Sequence, residues 1–399
     1  MQRVDFLSDK IKNLPESQTI AMAQKSRQMQ EAGVDVINLS LGEPDFNTPD
    51  FIKEAAKDAI DNNFSSYPPV PGYLSLRQAI SKKFERDNGL SYSPDQIVVS
   101  TGAKQSIMNV VLSLVGPGDE VIIPAPYWVS YRAMIIMAGA TPVVIECGIE
   151  DDFKLNPTKL EAAINEKSKL IIFSSPCNPS GSVYSSAELD GLAKVISNHK
   201  GLFVISDEIY EHILFEGSHD SIAKRPEVFD QCITVNGVSK AFAMTGWRIG
   251  YIGAPLWIAK ACTKMQGQFT SGASTISQKA AKAAVDADPS VTNDMKEAFK
   301  RRRALLLKHL SQIEGFKLNE PKGAFYLFPD VSALLGKTYN GKKVETSSDL
   351  CMYLLEEARV AIVTGDAFGS PNCVRLSYAT SDELLVEACN RIAKALNQA

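Results

Sequence analysis

The 399-residue chain contains no uninterrupted apolar run near the ~20 residues that a membrane-spanning helix needs, so no segment of it reads as a membrane anchor. It also lacks an excess of positive charge. Its 42 Lys and Arg stand against 46 Asp and Glu, and a formal net charge of -4 offers no basic face to nucleic acid. The seven cysteines, at 147, 177, 232, 262, 351, 373 and 389, are odd in number and form no C-x-x-C pair. That pattern argues against a disulfide framework or a zinc site and fits reduced thiols in a cytoplasmic protein. Histidines number only four, and His212 and His219 lack a matching cluster of ligands along the chain, so no metal is expected. The segment Gly116-Pro117-Gly118-Asp119-Glu120-Val121 misses the last glycine of G-x-G-x-x-G, and no Walker A spacing occurs, which removes the nucleotide-binding motifs. The first fifteen residues carry charges throughout and have no apolar centre, so no secretory leader is expected. There is no internal repeat and no low-complexity tail.

What is present is ordinary in bulk and specific in detail. A content of 45% hydrophobic and 22% charged residues over this length suits a globular chain of two domains. Short apolar runs at 97–101, 120–124, 141–146, 170–174, 203–206, 233–236 and 249–253 alternate with helix-like segments, the βαβα pattern of a mostly parallel sheet covered by helices. A domain boundary is expected in or just after the charged, helix-prone stretch 293–309. Beyond it, 323–328 and 373–377 read as strands of a smaller α+β unit.

The most telling stretch is Ser239-Lys240-Ala241-Phe242-Ala243-Met244-Thr245-Gly246-Trp247-Arg248-Ile249-Gly250. A lysine set among apolar neighbours loses part of its charge to burial, and its free amine then attacks carbonyls to form a Schiff base. Arg248 between glycines suits a phosphate that comes close to the backbone, so the pair points to a phosphorylated aldehyde. The competing reading is a surface helix with a solvated Lys and Arg. Upstream, Leu202-Phe203-Val204-Ile205-Ser206 ends in Asp207-Glu208-Ile209-Tyr210, and a second apolar run leads into Ser175-Pro176-Cys177-Asn178-Pro179-Ser180-Gly181. Polar residues just past the ends of buried strands face the crevice where α/β sheets bind ligands.

These blocks, with Leu41-Gly42-Glu43-Pro44-Asp45-Phe46, Pro126-Tyr127-Trp128-Val129-Ser130-Tyr131 and Val374-Arg375-Leu376-Ser377-Tyr378 in the same order, resemble the class I and II aminotransferases. The likeness runs nearly end to end and is strongest to the one-beta subgroup of aspartate and prephenate aminotransferases. It implies the aspartate aminotransferase fold, fold type I of the pyridoxal-phosphate enzymes, with a large domain at 46–295 and a small one made of 1–45 with 296–399. It also implies a cytoplasmic homodimer with shared active sites, acting on amino acids and 2-oxo acids.

By that resemblance Lys240 carries pyridoxal 5'-phosphate and later serves as general base at Cα, and Asp207 pairs with the pyridine nitrogen. Asp207 read by itself is also a possible helix N-cap. Tyr210 and Asn178 are expected at the ring hydroxyl, and Trp128 on the ring face, where the plain alternative is a core tryptophan. Gly102, Ala103 and Lys104 open a helix after the 97–100 strand and form a phosphate cradle, joined by Arg248 and by Tyr67 of the neighbouring subunit. The family often has a serine three residues before the lysine; here that position is Gly237, so its hydroxyl comes from Ser239 or is missing. Arg375 is the fork for the substrate α-carboxylate, and Gly42 lets backbone approach it. Lys104, Ser17 and Thr19 are the candidates for a second, side-chain carboxylate. Prephenate-using relatives often carry a lysine just before that serine motif, whereas this chain has Glu16, which favours aspartate with 2-oxoglutarate. Decarboxylases, carbon–sulfur lyases and aminocyclopropane-carboxylate synthases share the frame. A cofactor-binding transcription regulator would need a DNA-binding domain for which the ~40 residues before Gly42 leave no room.

Overall fold

The computed structural model describes residues 6–12, 14 and 18–397. After a first short strand, β1 (Ile37–Asn38), the chain lays down β2 (Ile97–Ser100), β3 (Glu120–Ala125), β4 (Thr141–Glu146), β5 (Ser168–Ser174), β6 (Phe203–Asp207), β7 (Cys232–Gly237) and β8 (Gly250–Gly253). These last seven form one sheet in the order β2-β8-β7-β6-β5-β3-β4, with only β8 running against the others. Every run read as a strand in the sequence is one, with shifts at the ends. Ile249 falls outside β8 because Arg248, at φ 56°, turns the chain before it.

Strand periodicity explains the layering. Ile97, Val99, Ile122, Ile171, Phe173, Val204 and Tyr251 point into one core, and their neighbours Val98, Val121, Ile123, Leu170, Ile172, Ile205 and Ile252 into the core on the other face. A sheet buried on both faces has to be apolar at successive positions, which is why the strands read as continuous runs. Helices cover each face, for instance Ala103–Leu114 and Leu256–Phe269 on one and Ser186–Ser197 on the other.

A third core gathers Ile37 and Leu39 with residues from Met295 to Leu396, and Ile209–Phe215 reach into it. The charged stretch expected to hold a boundary is one continuous helix, Asn293–Leu310, whose Met295, Phe299, Leu306 and Leu310 belong to this third core. β1 pairs in parallel with β12 (Val360–Ala361), while β13 (Val363–Thr364), β14 (Val374–Ser377) and β9 (Tyr326–Leu327) form a small antiparallel sheet; β10 (Lys337–Tyr339) and β11 (Lys342–Val344) make a separate hairpin. The strand expected over 323–328 is thus only two residues long. Ala324 at φ 57° breaks it, and a non-glycine residue in that region cannot continue a strand. Arg302 grips Asp45 with two hydrogen bonds of 2.8 and 2.9 Å, tying the N-terminal segment to the helix of the third core.

Candidate active site

The strand register brings the motifs to one edge of the sheet. Gly250, which opens the antiparallel β8, lies opposite both Ser100 at the end of β2 and Gly237 at the end of β7. Ser174 of β5 is opposite Asp207 of β6. Gly102, Arg248, Lys240, Asp207 and Asn178, far apart in sequence, therefore leave the sheet on the same side. Between that edge and the third core lies a cavity of about 310 Å³ lined by Gly42, Ala103, Lys104, Trp128, Tyr131, Ser174, Asn178, Asp207, Ile209, Tyr210, Ser239, Lys240, Thr245, Arg248 and Arg375.

Lys240 enters from a turn whose Ala241, Phe242 and Met244 are buried, and its Nζ donates to Gly42 O at 2.5 Å. Burial lowers its amine to about 8; Glu43 and Asp207 oppose that shift, whereas Arg375 and Arg248 add to it. Asp207 shows the complementary effect. Burial raises its carboxyl to about 6, although Tyr131 Oη donates to Oδ2 at 2.6 Å and the Ile209 amide to Oδ1 at 3.3 Å. The alternative reading of a helix N-cap fails, because no helix follows: Oδ1 only steadies the irregular turn through the Ile209 amide, while the side chain faces the cavity.

Tyr210 Oη shares a 2.8 Å hydrogen bond with Tyr326 Oη, and burial holds its hydroxyl well above the usual phenol range. Asn178 Oδ1 accepts from Arg375 Nη1 at 3.0 Å, and its Nδ2 donates to no described residue. Arg375, 3% exposed, also donates from Nη2 to Ser40 O at 2.6 Å and packs against Tyr326 and Phe368 at 4.6 and 5.1 Å from the ring centres. Its Nε is buried with no partner among the described residues, a spare donor on a fixed fork. Trp128 is half-buried rather than a core residue, with the Lys104 ammonium 5.0 Å from its ring centre and Tyr131 edge-on at 5.5 Å. Partial burial, and next the charge of Arg248, hold the Lys104 ammonium below its usual value.

At the end of β2, Gly102 adopts φ 82° and starts the helix Ala103–Leu114. A side chain here would strike Arg248, since a Cβ would lie 2.5 Å from Nη2. One at Gly250 would lie 2.1 Å from Ala103 N. Of the three amides expected to face an anion, two are open. Gly102 N turns inward to Ser100 O at 2.8 Å, leaving the N–H groups of Ala103 and Lys104 without partners among the described residues, as the first turn of a helix must. Gly237 has no room for the family's serine. A Cβ would come within 2.9 Å of Ile249 O and 3.0 Å of Gly250 Cα, so Ser239, buried and lining the cavity, is the hydroxyl at hand.

One expected residue, Tyr67, is not brought to the cavity by this chain. Tyr67 is 95% exposed. Ser17 lies outside the described residues, and so does the side chain of Thr19, which sits in the helix Gln18–Glu31. Sequence reasoning passed over Tyr131, Tyr326 and Ser40. Tyr131 stands in the Pro126–Tyr131 block already singled out, but only geometry gives it Asp207 as partner. The histidines need a correction: scattered in sequence, His212 and His219 are gathered with Asp87, Glu208 and Glu211 behind the cavity.

A lysine with a lowered pKa, a buried acid, two open helix-start amides and a buried guanidinium thus meet around one cavity. The family model described as aminotransferase class I and II matches residues 34–392, and the chain belongs to that family. It is an aminotransferase of the aspartate type. The chain is 50% identical over 395 residues to the bifunctional aspartate aminotransferase and glutamate/aspartate-prephenate aminotransferase of Petunia hybrida, covering 98% of this chain and 82% of that protein. It is 47% identical to an aspartate/prephenate aminotransferase of Cereibacter sphaeroides, over 97% of this chain and 98% of the relative. Among solved structures, the aspartate aminotransferase of Rhizobium meliloti superposes with a TM-score of 0.95 at 42% identity, covering 98% and 99% of the two chains. That of Thermus thermophilus with maleate gives 0.92 at 39%, with the same coverage.

Proposed function

We propose that this aminotransferase uses pyridoxal 5'-phosphate to move the amino group of L-aspartate to 2-oxoglutarate, giving oxaloacetate and L-glutamate. The observation that carries the reading is the meeting of Lys240, Asp207, Arg248 and Arg375 around one cavity. The residues present fit the cofactor: Gly102 and Gly250, where any Cβ would clash, let Arg248 and the helix start at Ala103 pack close together, two amides and Arg248 suit a phosphate, and Asp207 suits a pyridine nitrogen. Bound there, the cofactor supplies an aldehyde that takes up the amino group and a ring that accepts the electron pair left at Cα.

Each residue then has a defined task. Lys240 would hold the cofactor's aldehyde through Nζ and, once freed by the substrate amine, would act as the general base that moves the Cα proton to the cofactor's C4′ carbon; burial lowers this amine to about 8, which enlarges its neutral fraction. Asp207 is fixed by Tyr131 and the Ile209 amide, and its carboxylate holds a proton on the ring nitrogen. Tyr210 and Asn178 bind the ring oxygen, and Trp128 covers the ring face and excludes water. Arg375, already spread between Asn178 and Ser40, grips the α-carboxylate beside Gly42. Lys104, with Ser17 and Thr19, reads the distal carboxylate of a dicarboxylic substrate. The Thermus thermophilus relative was solved with maleate, itself a dicarboxylate.

The exposure of Tyr67 supports a homodimer in which this ring completes the phosphate site of the neighbouring subunit. Seven unpaired, buried cysteines support a reducing, cytoplasmic setting. The pairing of β1 with β12 and the Arg302–Asp45 contact support the division into 46–295 and 1–45 with 296–399. Amino exchange between aspartate and 2-oxoglutarate, followed as oxaloacetate formed, tests the reaction. Relatives named for both substrates favour prephenate as a second acceptor, and a prephenate arm of the same assay decides it.

A further inference from the structure

Asp207 and Tyr210 share one short turn, and the residues interleaved with them enter a separate, closed network. Glu208 is 0% exposed and Glu211 6%, and neither lines the cavity. Burying two carboxylates is strongly unfavourable unless each is paired and hydrogen-bonded. Glu208 accepts from Ser206 Oγ at 2.8 Å and Ser221 Oγ at 2.5 Å. His219 Nε2 lies 2.9 Å from its Oε2, an ion pair when the imidazole is protonated. Glu211 is bonded to Lys83 Nζ, accepts from Asn88 Nδ2 at 2.6 Å and lies 3.2 Å from His212 Nε2. Lys83 closes the helix Leu74–Lys83, and the wide turn Phe84–Asn88 carries Asn88 back so that its Oδ1 takes a further bond from Lys83 at 2.8 Å.

Burial disfavours a charged His219, but Glu208 and then Glu211 outweigh it and hold the imidazole above its ordinary value. Two acids thus face the Lys83 ammonium and an imidazole whose charged form they favour, with Asp87 and Arg86 as a further pair at 2.5 Å. The same side chains have metal-ligand spacing, yet the Lys83 ammonium already supplies the cation. Ile209, Tyr210 and Ile213 anchor the turn in the third core, but its backbone is sparsely bonded. Residues 208–212 form neither helix nor strand, and three backbone bonds span them: Glu208 N to Val235 O, Glu211 N to Glu208 O and Ile213 N to Tyr210 O, at 2.9, 3.0 and 2.8 Å.

We propose that Glu208 and Glu211, held by His219, Ser221, Lys83 and Asn88, are positioning residues that fix the turn presenting Asp207 and Tyr210 to the cavity. The proposal rests on the cofactor reading above. Buried ion networks are weak sources of stability, whereas small displacements of groups that act on a reacting centre are expensive in rate. The test uses the holoenzyme and its Glu208→Gln and Glu211→Gln variants, which keep side-chain length. Melting temperature, kcat, KM and the pH midpoint of the cofactor absorbance band are measured for each. The expected result is a fall in kcat of about tenfold or more, KM within about twofold, and a displaced midpoint, because Asp207 and Tyr210 set the electronics of the chromophore. A lowered melting temperature with kcat and midpoint unchanged assigns the network to folding alone and overturns the proposal. Should neither variant fold, Ser221→Ala decides: it removes one hydroxyl from Glu208 without stranding a charge, and an unmoved midpoint again overturns it. A wild-type protein that shows no cofactor band would instead sink the cofactor reading itself.

Discussion

Arg375 and Lys104 are both cations at the cavity, and their surroundings predict different consequences for their loss. Arg375 is buried, held at both Nη atoms and aimed by two aromatic rings, so its fork is set before any substrate arrives. Arg375→Lys keeps a charge but cannot span Asn178 and Ser40, and it leaves buried acceptors unpaired. Breaking a buried charged contact of this kind costs about 2–5 kcal/mol, or roughly 30-fold to several thousandfold in kcat/KM. Every amino acid has an α-carboxylate, so aspartate, glutamate, alanine and phenylalanine should all lose by a similar factor. Lys104 keeps solvent contact but is partly covered at the cavity beside the Trp128 ring, and a single charge-assisted contact there is worth about 1.5–3 kcal/mol. Lys104→Ala should therefore lower kcat/KM for aspartate and glutamate roughly 10- to 150-fold and leave alanine and phenylalanine within about twofold. Single-turnover half-reactions of the purified holoenzyme, followed by cofactor absorbance, give the four values for each variant. A uniform loss across all four substrates in Lys104→Ala, or a weakened hold on the cofactor, would place Lys104 at the phosphate cradle and refute the division of labour.

Two further outcomes follow from the same site. Asp207→Asn should retain cofactor but lower kcat by several orders of magnitude with a smaller effect on KM, because a neutral amide cannot hold the ring proton; wild-type kcat in that variant would remove the electron-sink role. In the apoprotein, burial lowers Lys240 to about 8, below its unfolded value of 10.5, so the neutral amine appears as pH rises through 8. Its modification by trinitrobenzenesulfonate, mapped by peptide, should rise with a midpoint near that pH, and the unfolded state's greater proton uptake between the two values should make folding stability rise with pH across the same window. A midpoint above 10 would mean an ordinary, solvated lysine.

The large sheet was legible in the sequence because its strands are buried on both faces and so stand out as unbroken apolar runs. Their order was not, since pairing β8 against β2 and β7 is decided by long-range packing; that pairing is what places Arg248 beside Gly102. Strand-end differences came from single residues in the left-handed region, Arg248 and Ala324, for which residue type gives no warning. Lys240, Asp207, Asn178 and Arg375 were readable as ordered blocks with strong chemistry. The Glu208–His219 and Glu211–Lys83 pairs were not: the partners of the second are 128 positions apart, and each residue alone looks like surface charge. Gly102 was expected as an amide donor, whereas its amide bonds to Ser100 O and what the position provides is the missing side chain beside Arg248.

The central claim is that Lys240 is the residue to which the cofactor is joined, and chemical trapping addresses it most directly. Borohydride reduction of the holoenzyme, followed by proteolysis and mass spectrometry, should leave one pyridoxyl group per chain in the peptide that contains Lys240, with loss of the visible absorbance. A pyridoxyl group on Lys104 or on any other lysine, or a protein that binds no cofactor to reduce, would contradict it.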